Sequence, residues 1–120
     1  MKFLPILLCI AFIGCFASKP SAAEIENADY GAYPEDYKQI VSKWIFRSFY
    51  DPHSVRDLVI TEPKKAHNSQ WIIDGGDTIY GYSVGVALRA KNRMGGYTGL
   101  AYYYLLIRNG EIVFQGEMRR

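Results

Sequence analysis

The sequence predicts an α+β fold, one amphipathic helix packed on a small antiparallel sheet that ends in a C-terminal β-hairpin. Three observations carry this expectation: apolar residues recur at three- and four-residue steps over 37–49, side chains alternate over 78–91, and Asn109-Gly110 separates two apolar runs.

Ahead of these elements stand Met1-Lys2, an apolar run over 3–17, and Ser18-Lys19-Pro20-Ser21-Ala22-Ala23. A basic start, a short apolar stretch and small residues at its exit form an export signal, and the stretch is too short for a membrane span. Segment 1–23 is therefore read as a signal peptide, which excludes cytosolic enzymes, gene regulators and nucleotide users. Two exits compete. Cleavage after Ala23 leaves a soluble domain, whereas Phe12-Ile13-Gly14-Cys15 resembles a bacterial lipoprotein signal in which Cys15 becomes the lipid-bearing terminus, with Phe12 where a branched aliphatic is usual. Attachment through Cys15 is the one membrane association expected, and the location is periplasmic or secreted.

The remaining chain, about 100 residues, suffices for one domain with a modest core. All 12 acidic residues follow position 23, while Lys2 and Lys19 leave with the signal, so the mature domain is neutral despite the overall charge of +2. A neutral domain argues against nucleic acid as a partner. Both cysteines, Cys9 and Cys15, precede the soluble form, so neither a disulfide framework nor a cysteine-zinc site is available to it.

Segment 24–32 is polar, lacks apolar periodicity and reads as a flexible tether; the domain is expected over 33–120. Pro34 suits a first helical turn, and Glu35 and Asp36 complement the positive end of the helix dipole. Tyr37, Ile40, Val41, Trp44, Ile45, Ser48 and Phe49 then form one stripe, and Asp51-Pro52 stops the helix. Residues 51–57 read as a turn or helical turn leading into an extended 58–61. Residues 62–69 read as a polar loop, 70–73 as a short strand and 74–77 as a turn. Over 78–91 the even positions, among them Tyr82, Val84, Val86 and Leu88, alternate with smaller or charged ones, which predicts a long strand with one buried face. A second strand starts at Leu100. The Asn109-Gly110 turn sets Arg108 opposite Glu111, Ile107 opposite Ile112, Leu105 opposite Phe114 and Tyr103 opposite Gly116.

Tyr33-Pro34-Glu35-Asp36-Tyr37, the turn Asp51-Pro52-His53-Ser54 and the segment Arg89-Ala90-Lys91-Asn92-Arg93-Met94-Gly95-Gly96-Tyr97-Thr98-Gly99 make the chain similar to a group of small bacterial envelope proteins. These are largely uncharacterised, many are lipoproteins, and they carry a DPxS turn and an NxKNxxGGYTG-type motif. Arg89 departs from the asparagine common in that motif. The resemblance covers most of 33–108 and implies an envelope location and a single domain, with no assigned activity.

The most distinctive local constellation is 89–99. Its glycines allow backbone conformations that other residues avoid, and successive N–H groups could form an anion nest flanked by cations. Arg89, Lys91, Asn92, Arg93, Gly95, Gly96 and Tyr97 are thus the candidate binding residues, against the plainer reading of a loop between two strands. His53 and His67 stand alone, without a ligand-spaced partner, so no metal or other cofactor is expected. Ser54 or Ser69 with a histidine and Asp51 or Asp74 could be assembled into a trio, but no nucleophile-positioning motif surrounds them. Asp74 and Asp77 read as a polar turn rather than paired catalytic carboxylates. Tyr102, Tyr103 and Tyr104 must point to both faces of a strand, which offers at least one to solvent or a partner. The expectation is a non-catalytic exported domain that binds another envelope protein or an anionic envelope polymer. An inhibitor of a secreted enzyme and a small cell-wall hydrolase are the alternatives.

Overall fold

A computed structural model describes residues 20–69 and 78–118. A short helix α1 (Ala22–Asn27) precedes helix α2 (Tyr37–Ser48), a 3-10 turn (Pro52–Ser54), and strands β1 (Arg56–Ile60), β2 (Lys64–Ser69), β3 (Thr78–Arg89), β4 (Ala101–Arg108) and β5 (Glu111–Met118). The fold is α+β, one main helix on a five-stranded antiparallel sheet, with β4 and β5 as the C-terminal hairpin. Strand β3 pairs β4 along one side and both β1 and β2 along the other, and β5 completes the order. β1 lies against the end of β3 near Arg89 and β2 against the end near Thr78. At the break between them, Thr61 N–H donates to Gly85 O at 2.9 Å and Thr61 Oγ1 accepts from Gly85 N–H at 2.8 Å, so the threonine continues the ladder with its side chain.

The stripe on α2 lies where its periodicity predicts. Val41, Trp44 and Ile45 are buried against Val84, Val86 and Leu88 of β3 and Leu105 and Ile107 of β4. These are alternate positions on each strand, and register places Val84 opposite Leu105 and Val86 opposite Tyr103, so one face of the sheet carries the core. The helix begins later than Pro34: Tyr37 N–H donates to Pro34 O and Ile40 N–H to Asp36 O, both at 3.1 Å. Tyr33 packs edge-on against Tyr82 at 5.3 Å, which draws the residues before α2 onto the sheet as turns.

Three expectations need correction. Segment 24–32 is not a free tether: Tyr30 is buried, packs edge-on against Tyr80 at 5.4 Å and donates to Ile25 O at 2.7 Å, while Asp29 meets Arg108 at 3.5 Å. A lone tyrosine in a polar stretch has no period to reveal it. The polar loop expected over 62–69 contains β2, paired residue for residue from Lys64 opposite Ser83 to Ser69 opposite Thr78. An edge strand can be held by backbone bonds, and Lys64 and Lys65 blunt it against further pairing. The hairpin register holds for Arg108 with Glu111 and Ile107 with Ile112, then shifts by one, so that Leu106 faces Phe114, Leu105 faces Gln115 and Tyr103 faces Glu117. Val113 is the extra residue of a β-bulge. The turn itself is as expected, with positive φ at Asn109 (50°) and Gly110 (81°). The short strand and turn expected over 70–77 lie outside the described residues.

Candidate functional site

The segment singled out in the sequence folds back on itself at the end of β3. Thr98 N–H donates to Ala90 O at 3.0 Å, and Lys91 pairs with Tyr97 in antiparallel fashion. Asn92 occupies the inside of the loop. Its N–H donates to Gly96 O at 2.9 Å, its carbonyl accepts from Gly95 N–H at 3.0 Å, and its Oδ1 accepts from Met94 N–H at 2.9 Å and Gly96 N–H at 3.2 Å. The successive N–H donors that suggested an anion nest are therefore turned inward onto Asn92. Gly95, at φ 82°, supplies the left-handed residue that closes the loop, while Gly96 stays at negative φ.

The 3-10 turn locks this loop to the body of the fold. The Ser54 hydroxyl, buried, donates to Asp51 O at 2.6 Å and accepts from Lys91 N–H at 2.9 Å. The two motifs, separated by 37 positions between Ser54 and Lys91, thus form one structural unit. Removing the hydroxyl strands a donor on Lys91. Ser54→Ala is expected to cost about 1–3 kcal/mol, read as a lower urea midpoint with an unchanged m-value.

The cations around the loop separate into two kinds. Arg89 Nε lies 3.1 Å from Asp57 Oδ2, an ion pair at a bulge where Asp57 adopts φ 57°. The others rest on aromatic rings. The Arg56 guanidinium sits 3.7 Å from the Tyr97 ring centroid and Lys91 Nζ 5.5 Å from the same ring, while Arg93 lies 5.7 Å from the Tyr50 ring. Cation–π contact holds a charge in place without neutralising it, and a stacked guanidinium keeps its edge donors for an anion. Among the described residues, Arg56, Lys91 and Arg93 make no ion pair.

Of the residues expected from sequence, Lys91, Asn92, Arg93, Gly95, Gly96 and Tyr97 gather in the loop, and Arg89 is diverted to Asp57. Arg56, Tyr50 and Ser54 join the site although sequence reasoning did not put them there. Their one signal was the DPxS turn, of which Ser54 is the last residue and near which Tyr50 and Arg56 stand. The chain matches no protein-family model, no curated protein and no solved structure.

Of the catalytic constellations considered above, only the one through Ser54 and Asp51 lies wholly within the described residues. Ser54 Oγ bonds a backbone carbonyl rather than a histidine. His53 packs edge-on against Phe46 at 5.3 Å, and His67 lies 5.9 Å from Tyr80. No group of three His, Cys, Asp or Glu able to hold a metal occurs among the described residues. Asp74 and Asp77 lie outside the described residues. Also among the described residues, no helix is long and apolar enough to cross a membrane.

Beside the loop, between the C-terminal part of α2 and strands β4 and β5, lies a cleft of about 300 Å³ lined by Trp44, Ser48, Phe49, Tyr103, Gln115, Gly116 and Glu117. Burial, and then the Glu117 carboxylate, hold the Tyr103 phenol above its ordinary value. On the opposite face burial also raises Tyr104, against which a hydrogen bond with Ser83 works. The folded state keeps these protons longer than the unfolded chain does. The stability carried by this difference is complete below about pH 10 and drains away as pH rises beyond it. Urea unfolding followed from neutral to alkaline pH should therefore show falling stability above that point, with a shallower fall in Tyr103→Phe.

Proposed function

We propose that this protein is an exported, non-catalytic domain of the bacterial envelope that binds an anionic envelope component through the end of the sheet carrying loop 91–97. The observation that supports this most is the trio of Arg56, Lys91 and Arg93, each held on a tyrosine ring and, among the described residues, none neutralised by a carboxylate. A buried-serine brace beneath the loop restrains the backbone that carries Lys91 and Arg93, which lowers the ordering cost of binding. Envelope location is supported by the leader over 1–23 and by the similarity of the DPxS and NxKNxxGGYTG-type segments to envelope proteins. Retention of Ser21 keeps the cap of α1, whose Oγ accepts from Glu24 N–H at 3.1 Å, as a Cys15 terminus would; release after Ala23 removes it.

The test is a titration of the exported protein with a soluble polyanion such as inorganic polyphosphate. Arg56→Ala with Lys91→Ala and Arg93→Ala is expected to weaken binding at least ten-fold and to flatten its salt dependence, while Arg89→Ala changes it little. Equal affinity of the triple variant and the parent overturns the reading. Intact mass settles the attachment: a diacylglycerol adduct on Cys15 identifies a lipoprotein, and an unmodified terminus at Glu24 a soluble one.

A further inference from the structure

The apolar side chains left in water are distributed unevenly. Among the described residues, every exposed large hydrophobic except Tyr33 lies on the half of the molecule toward loop 91–97. Met94 at the loop tip is 94% exposed, Tyr50 beneath Arg93 67% and Phe46 beside His53 62%. Leu100 follows the loop, and Met118 stands opposite Tyr102 at the same end of β5. Together with Arg56, Lys91 and Arg93 they form an apolar tip within a collar of cations and tyrosines.

We infer that the anionic component is a bilayer surface, and that the loop end docks peripherally on anionic lipid, with Met94 entering the headgroup region and the cations meeting phosphates. This rests on the anion-binding reading above. The shape favours lipid over a protein groove: the most exposed apolar group stands on a convex tip with nothing of its own fold around it, and its neighbours spread to both sheet edges. A soft planar interface can take such a tip, and clustered apolar exposure marks an interaction site rather than scatter. Tyrosine belongs at that depth, and each cation near an anionic leaflet strengthens binding roughly five-fold. Of the acidic groups at this end, Asp57 is engaged by Arg89, Asp51 leads into the 3-10 turn under the loop, and Glu117 lines the surface beside Leu100 and Met118. The tip is also remote from residues 29–32. Residues 29–32 join the sheet at its other end, where Arg108 Nη1 donates to Asp29 O and Ala32 N–H to Asn109 Oδ1. The length of β3 separates the two ends by about 35 Å.

The exported form, in which residues 29–32 and the tip lie at opposite ends of the sheet, is the form tested. Peroxide oxidation of Met94, followed by peptide mass spectrometry, reports its exposure directly. With vesicles containing phosphatidylglycerol, oxidation should slow several-fold relative to phosphatidylcholine vesicles, and high salt or Arg56→Glu with Arg93→Glu should restore the rate. Equal rates in the two vesicle types overturn lipid docking. Inorganic polyphosphate is the separating arm. Slowed oxidation with polyphosphate and none with anionic vesicles overturns docking while the anion-binding reading stands; no binding to either ends both. Circular dichroism of the double variant checks that its fold is intact.

Discussion

Gly81→Val is expected to unfold the protein or to reduce its stability by about 3 kcal/mol or more, the upper range for forcing atoms into packed space. A Cβ at position 81 would lie 2.5 Å from the Ile107 carbonyl oxygen, 3.2 Å from its carbon and 3.3 Å from Leu106 Cγ. The nearest obstacle is backbone of β4, so no rotamer relieves it; the adjoining strands have to move apart. Those strands hold Val84, Leu105 and Ile107, all within the core cluster against α2. Even Gly81→Ala places the offending atom, so it should share most of the defect. Gly116→Ala is the control, since its Cβ would meet only Phe114 ring carbons, the nearest at 3.6 Å. It should stay within about 0.5 kcal/mol of the parent. Thermal and urea unfolding of the three variants check the order.

Trp44→Ala should cost about 3–5 kcal/mol, because it deletes the largest buried side chain of the helix. Trp44 packs edge-on against Phe49 at 5.5 Å and Tyr103 at 5.2 Å, and its Nε1 donates to Gln115 Oε1 at 2.8 Å. One residue thus joins the end of α2 to both hairpin strands. Trp44→Phe separates the contributions: it retains much of the apolar volume and loses the donor. A double-mutant cycle with Gln115→Ala should give a coupling of about 0.5–1.5 kcal/mol, as for an ordinary hydrogen bond. Near-zero coupling would mean that the bond does not hold the helix to β5. The consequence for the site is positional, since Phe49 leads directly into Tyr50, the ring under Arg93.

Much of this architecture was legible residue by residue. The stripe from Tyr37 to Phe49 and the alternation through Val84, Val86 and Leu88 are repeats with one burial direction, and burial is what produces such repeats. Asn109-Gly110 was legible because few dipeptides tolerate positive φ twice. β2 was not, since Lys64, Lys65 and His67 carry no apolar pattern; what makes them a strand is the free edge of β3. The bulge at Val113 was invisible for a related reason. A turn specifies the first pairs of a hairpin, whereas the later ones answer to packing, and here packing brings Phe114 opposite Leu106 and frees Gln115 to meet Trp44.

The site divides in the same way. Composition and local chemistry alone identified the cations of 89–93, the glycine-bearing loop and the absence of thiols after residue 15. Which cations remain available was decided only in three dimensions. Asp57 lies far from Arg89 in sequence and neutralises it, Arg56 arrives from another strand to stack on Tyr97, and Ser54 reaches across to hold Lys91. The division has a physical cause. Periodicity, turn preference and charge are properties of neighbouring residues and can be read along the chain, whereas pairing, burial and neutralisation depend on which distant atoms come within a few ångströms.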